Sequence, residues 1–194
     1  KQKTAYEIRN CDWSSDVCSS DLEHQALYVN YRSCNAMDSL PMAKFTEQVL
    51  KALKENQTSR IIVDLRYNTG GNVRLIRPFI DAISVDSSRK HVHYYVLIGR
   101  HTFSAAIWAA FEMKNRWHAT LIGEETGGDL NHPGAVGSFL LKHSGLKIFY
   151  SQYDFYFDST VRNGILPDIA LPYKITDFKA GVDPPLEKAL TLSE

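Results

Sequence analysis

Apolar positions along this chain follow two alternating patterns. Ala26 to Tyr31 (ALYVNY) is rich in aromatic and β-branched residues and predicts a strand. Pro41 then opens a stretch from Met42 to Glu55 in which Phe45, Val49, Leu50 and Leu53 recur at helical spacing. Ile61 to Leu65 (IIVDL) is almost unbroken apolar sequence, the pattern of a strand covered on both faces, and beyond a Gly-Gly turn Val73 to Ile83 predicts a second helix. Tyr94 to Ile98 repeats the buried strand, Ser104 to Arg116 the helix, and Ala119 to Ile122 (ATLI) adds another strand. Strands and helices in strict alternation predict an α/β succession of βαβ units, with a largely parallel sheet and right-handed crossovers.

After Gly123 the rhythm changes. Val136 to Leu141, Lys147 to Gln152 and Phe155 to Phe157 are strand patterns separated by Gly- and Asn-containing turns, so a hairpin-rich element appended to the sheet is expected. The tail passes Pro167 and Pro172 along the surface and closes with a short helix from Leu186 to Leu190, entered through Asp183-Pro184-Pro185. With no internal repeat, low-complexity tract or linker, one domain is the economical reading.

Composition narrows the classes of function. The 194 residues carry 22 Lys+Arg against 22 Asp+Glu, which gives no long-range attraction for phosphate backbones or anionic lipid. Apolar runs such as Ala105 to Phe111 are far too short to span a bilayer. Nucleic acid as partner and a membrane span are therefore not expected.

The first residues stand apart. Residues 1–8 and 12–22 back-translate, codon by codon, to the two constant parts of a common short-read sequencing adapter, with Arg9, Asn10 and Cys11 in the place of its variable index. Residues 1–22 are thus expected to be a non-native leader, with natural sequence from Glu23 onward, N-terminally truncated. Setting the leader aside removes three basic and four acidic residues, so the charge stays near zero. It also removes Cys11 and Cys18, so that only Cys34 remains and no intrachain disulfide is expected.

In open α/β folds, sites form at the carboxyl ends of parallel strands, so the loops after Leu65, Ile98 and Ile122 are the places to look. The first, Arg66-Tyr67-Asn68-Thr69-Gly70-Gly71-Asn72, ends in two glycines that can turn their N–H groups toward a ligand oxygen; an ordinary strand-to-helix turn is the commoner use of such a pair. The second, Gly99 to Ser104, puts a serine in the first turn of a helix. There its hydroxyl sits at the positive end of the helix dipole, a setting for a nucleophile, although capping is the more frequent role. The third, Gly123 to Gly134, is long, glycine-rich and polar, and holds Glu124, Asp129 and His132 as candidate proton carriers.

The series IIVDLRYNTGGN, YVLIGRHTFSAAIWAAFEMKNR and ATLIGEETGG, with the endings LPDIALP and GVDPPLEKAL, resembles the C-terminal processing, or tail-specific, serine protease family. The resemblance covers most of Gln25 to Leu190 and implies a crotonase-like core, also seen in ClpP, of which residues 23–194 would be the C-terminal part of the catalytic domain. It implies that Ser104 is the nucleophile, that Ala105 supplies one oxyanion-hole N–H, and that Gly70 or Gly71 supplies the other. It also implies a peptide or unfolded protein substrate and a bacterial cell-envelope or secreted location.

The general base departs from the family pattern. In the dyad members a lysine follows the nucleophile by 25 positions, and here that position is Asp129. Three readings stay open: His132, in the turn Asn131-His132-Pro133-Gly134, acts as base with Asp129 or Glu124 orienting it; the base lies upstream, as in the related tricorn core proteases, and is outside this sequence; or catalysis is lost and the cleft binds a peptide or apolar ligand. The expected activity is that of a serine endopeptidase, and the alternative is an inactive binding domain of the same fold.

The other candidates are weaker. His101 shares a turn with Ser104 and is expected to face solvent or cap a carbonyl. His91 and His93 lack a third ligand at matching spacing, so no metal is expected; Gly70-Gly71 lacks a following Lys-Ser/Thr, so no nucleotide cofactor is expected. His118 and His143 read as surface or turn positions. Asp64 and Arg66, at the end of a buried strand, are expected to form a hydrogen-bonded structural pair rather than a catalytic one, and either could steady the Gly70-Gly71 turn. The cluster Phe149, Tyr150, Tyr153, Phe155, Tyr156 and Phe157 is read as half core and half sheet cover, with a groove for an extended peptide as the other possibility.

Overall fold

A computed structural model of the chain describes residues 17–21, 23–36, 40–55, 58–84 and 91–192. The runs of apolar and β-branched residues become β2 (Ala26–Asn30), β3 (Arg60–Asp64), β4 (His93–Ile98) and β5 (Thr120–Gly123), joined by α1 (Met42–Glu55), α2 (Val73–Ser84) and α3 (Ala105–Trp117). These four strands are parallel neighbours in chain order. That is the α/β succession expected from the sequence. A short parallel strand, β8 (Ile169–Ala170), extends the sheet beyond β5. On the opposite edge β1 (Val17–Asp21) runs antiparallel to β2. It falls in the stretch read as an adapter-derived leader, the rest of which lies outside the described residues.

Alternation along the strands divides the core into two layers. Leu27, Val29, Ile61, Val63, Val96, Ile98 and Leu121 face α1, α2 and α3, where Phe45, Ile76, Phe79, Ile80, Ile107 and Met113 close over them. Trp117 locks α2 to α3 by donating its indole N–H to the Ile80 carbonyl at 3.2 Å and the Ser84 hydroxyl at 3.0 Å. On the other face Tyr28, Ile62, Tyr95, Leu97 and Ile122 meet Leu186, Ala189 and Leu190 of the C-terminal helix. The α4 helix (Ile175–Ala180) was not expected, and α5 (Pro184–Thr191) starts at the two prolines rather than two residues later. Asp183 caps α5 by accepting the Leu186 N–H at 3.2 Å.

The hairpin differs from its expected form. β6 (His132–Leu140) and β7 (Lys147–Phe155) make a separate two-stranded antiparallel sheet, with no third strand at Phe155–Phe157. β6 also starts at His132, which the sequence placed in a turn: Asn131 accepts the N–H groups of Phe157 and Asp158 on its side-chain oxygen, at 2.7 and 3.2 Å, and donates to the Asp158 and Val161 carbonyls. This anchors the root of the ribbon and hands His132 straight into the strand. Phe149, Tyr150, Tyr153, Phe155 and Tyr156 are all exposed, so the expectation that half of the cluster is core is corrected; Phe157 is half-buried. A two-stranded ribbon has no second layer to bury either face.

Candidate active site

The loop after β3 is built around Asn68, which is fully buried. Its side-chain oxygen accepts the Gly70 N–H at 2.9 Å, its NH2 donates to the Tyr31 carbonyl at 2.9 Å, and its own carbonyl accepts the Phe103 N–H at 3.0 Å. One residue thus ties the end of β2 and the Gly-Gly turn through its side chain, and the residue before Ser104 through its main chain. The sequence quoted Asn68 only as part of the turn. The signal for it was the Asn two residues before a Gly, which closes an Asx-turn. Gly70 has φ +98°, and a Cβ on it would lie 2.7 Å from the Phe103 carbonyl oxygen and 2.8 Å from the Ser104 Cβ. Only glycine allows these two loops to touch.

Ser104 itself stands one residue before α3, with φ 51° and ψ −119° and no capping hydrogen bond from its side chain. The expected first-turn serine is therefore an elbow residue in a strained conformation, open to other roles than capping. Thr102 braces the approach: its hydroxyl donates to the Leu65 carbonyl at 2.9 Å and accepts the Gly99 N–H at 3.0 Å. The strain at Ser104 is thus held in place by buried hydrogen bonds on both loops.

His132 meets Ser104 from the ribbon. Its Nε2 lies 3.3 Å from the Ser104 Oγ, while Nδ1 lies 3.0 Å from the backbone carbonyls of both Asp129 and Leu130. A carbonyl can only accept, so Nδ1 carries the proton and Nε2 presents a lone pair to the serine. The carboxylates proposed as orienting groups do not take this part: the Asp129 contact is through its main chain, and the Glu124 carboxylate pairs with Arg100 at 3.2 Å. His101 is exposed and stacks on Tyr67, ring centroids 5.9 Å apart, away from the Ser104 hydroxyl.

Two backbone donors remain open beside the serine. Gly70 gives its N–H to Asn68, so of the two glycines Gly71 is the one whose N–H, like that of Ala105, has no acceptor among the described residues. Gly71 is held by Cys34, whose carbonyl accepts the Asn72 N–H at 2.7 Å and whose N–H reaches the Gly70 carbonyl at 3.0 Å. Gly71, Ala105, Ser104 and His132 share a pocket of about 340 Å³ whose walls include Val73, Ala135, Phe155 and Phe157. Phe155 and Phe157 belong to the aromatic cluster singled out from sequence; Val73 and Ala135 were not singled out, because they come from other elements, α2 and β6.

Behind the loop, Asp64 and Arg66 form the pair expected of them, and it extends further. Arg66 makes paired hydrogen bonds to Asp64 and to Asp183, the shortest at 2.6 and 2.7 Å, and Tyr28 donates to Asp64 at 2.7 Å. Burial alone would raise the Asp64 carboxyl, but the Arg66 guanidinium outweighs it and holds the group below the ordinary carboxylate range. Burial, reinforced by the Asp64 charge, pushes the Tyr28 phenol well above its usual value.

Fold and geometry define a parallel α/β domain with a strained serine, a histidine and two open N–H groups around one apolar pocket. Residues 79–171 match the model of peptidase family S41. Among solved structures, a putative peptidase from Parabacteroides merdae superposes with a TM-score of 0.69 at 20% identity, over 92% of this chain and 65% of its own. A lipoprotein from Streptococcus agalactiae gives 0.57 at 16%, over 92% and 74%. Mature CPAF complexed with lactacystin gives 0.67 at 14%, over 92% and 54%. At such identities these likenesses are likenesses of fold, and the chain spans about 65% of the first structure's length. No curated protein matches the chain. Among the described residues no helix is long and apolar enough to cross a membrane.

Proposed function

We propose that the chain carries the catalytic centre of a serine endopeptidase, with Ser104 as nucleophile and His132 as general base. The observation that carries this reading is the 3.3 Å approach of His132 Nε2 to the Ser104 Oγ, with Nδ1 already committed to main-chain carbonyls. Ser104 Oγ attacks the peptide carbonyl carbon while its proton passes to Nε2. The oxyanion forms against the Gly71 and Ala105 N–H groups, whose open donors support that role. His132 then returns the proton to the leaving amine nitrogen as the C–N bond breaks, giving an acyl-enzyme. Water repeats the sequence: its proton goes to Nε2, its oxygen to the acyl carbon, and the proton returns to Ser104 Oγ as the acid leaves.

Main-chain carbonyls fix the histidine's tautomer but bring no full negative charge to stabilise the imidazolium. The family supports a peptide or protein substrate, and the fold shared with the Streptococcus lipoprotein supports the reading of a bacterial cell-envelope or secreted protein. The test is cleavage of an unfolded protein, together with labelling by a fluorophosphonate, in wild type, Ser104→Ala and His132→Gln. Both variants are expected to lose at least about a thousandfold in cleavage rate, and only Ser104→Ala all covalent labelling. A His132→Gln protein that cleaves as fast as wild type would move the base elsewhere.

A further inference from the structure

The β6–β7 ribbon presents an apolar track that begins inside the candidate site. Successive residues of β7 point to opposite faces, so Phe155, Tyr153 and Phe149 share one face, and at its root Phe155 is a wall of the pocket beside Ser104. Val136 and Leu140 pair with Ser151 and Lys147 and so lie on that same face. Tyr153 and Phe149 are about two-thirds exposed. From Phe155 to Phe149 the track runs about 20 Å, with a side chain about every 7 Å, the repeat at which an extended polypeptide offers its own alternate side chains. The charge on this face is positive: Lys147 shares it, whereas Asp154, the one carboxylate of β7, alternates to the opposite face. The Lys147 ammonium sits 5.2 Å from the Phe149 ring at the far end.

We propose that this face is a platform for the substrate, on which an extended, neutral or acidic polypeptide lies outward from Ser104 with alternate apolar side chains against Phe155, Tyr153 and Phe149. The inference rests on the peptidase reading. Its occupant is named by continuity, since the face and the catalytic pocket share Phe155, and by charge. Tyr150, Phe139 and Ile148 belong to the opposite face and point away from the pocket.

The experiment compares a four-residue and a twelve-residue fluorogenic peptide with the same residues at the scissile bond, on the full-length protein. Tyr153→Ser and Phe149→Ser are expected to lower the long-to-short ratio of kcat/KM about tenfold each, the loss of one aromatic contact. Ile148→Ser and Phe139→Ser leave both peptides unchanged. Replacing an acidic residue at the outer end of the long peptide by lysine is expected to cost about threefold at low salt, a difference that high salt removes. Equal effects from both faces, or a ratio that does not move, overturn the platform.

Binding of the labelled twelve-residue peptide to the Ser104→Ala protein, read by anisotropy, separates the two claims. Binding that Phe149→Ser weakens, in a protein whose wild type cuts neither peptide, keeps the platform and ends the peptidase reading. Absence of binding, or a concentration-dependent dimer that Phe149→Ser dissolves, overturns the platform, the dimer assigning the face to a second copy of this chain.

Discussion

Replacing Gly70 by alanine tests whether the two loops of the site form one mechanical unit. The new methyl carbon would stand 2.7 Å from the Phe103 carbonyl oxygen, 2.8 Å from Ser104 Cβ and 3.0 Å from the Ala105 N, all main chain or next to it, so no flexible side chain can yield. Relief requires the Ser104 elbow to retreat by roughly half an ångström, and the residue must also hold φ +98° with a side chain. The strain and overlap together are expected to cost about 2–4 kcal/mol of stability. Displacing Ser104 and the Ala105 N–H together should, on the proposed mechanism, lower kcat about 10- to 100-fold, with KM much less affected. Gly99→Ala is the matched control, since a methyl there meets Arg66 only at 3.7 Å or beyond, ordinary contact distance. The assay is thermal denaturation beside steady-state peptide cleavage. A Gly70→Ala protein that melts and cleaves like Gly99→Ala would refute the claim that these loops touch through Gly70.

Two further outcomes follow from buried polar groups. Asn68→Ala removes the acceptor of the Gly70 N–H and a donor to the Tyr31 carbonyl and should cost about 2–3 kcal/mol in a denaturant melt; kcat should fall with it, because the Gly-Gly turn loses its brace. Asp64, whose folded pKa lies below its unfolded one, adds stability that is fully present above about pH 4 and disappears as pH falls from there through the lower folded value, where the unfolded chain binds the extra proton first. Melts of wild type and Asp64→Asn should therefore differ most near neutral pH and converge on acidification, and a constant gap down to strongly acid pH would contradict the linkage.

The parallel core was legible because every buried strand is a short apolar run and α1 and α2 each carry a 3.6-residue stripe, signals that survive without tertiary context, while α3 is buried all round from Ala105 to Ala110. Ser104, Ala105 and the two glycines were legible because they sit in motifs at strand ends. What sequence left open was which glycine N–H is free, and that depends on an Asn68 side chain folding back by two residues. It also left the orienting group of His132 to carboxylates, because a main-chain carbonyl has no sequence signature; Asp129 contributes its peptide oxygen instead. The turn expected at Asn131–Gly134 became a strand because Asn131 finds four partners from Phe157 to Val161. Local turn propensity lost to that long-range pairing.

The Asp64–Arg66–Asp183 network explains why so short a loop can hold a strained serine. Strand alternation sends Tyr28, Ile62 and Asp64 to the α5 side of the sheet, whereas the loop that follows, from Arg66 to Gly71, supports the Ser104 elbow at the start of α3. Arg66 fastens the beginning of that loop to the cap of α5 through Asp183, and Asn68 fastens its end to Phe103. A buried ion pair of this kind gains little net stability, since desolvation offsets most of the attraction. Its effect lies in geometry: with both ends of the loop pinned, the Gly71 N–H and the Ser104 elbow have one arrangement. Replacing Arg66 and both aspartates together by apolar residues of similar volume, with Tyr28→Phe to remove the hydroxyl that Asp64 accepts, would then cost little more than the α5 cap, about 1 kcal/mol, while lowering kcat, and a full retention of kcat in such a folded variant would show that the loop holds its shape without the network.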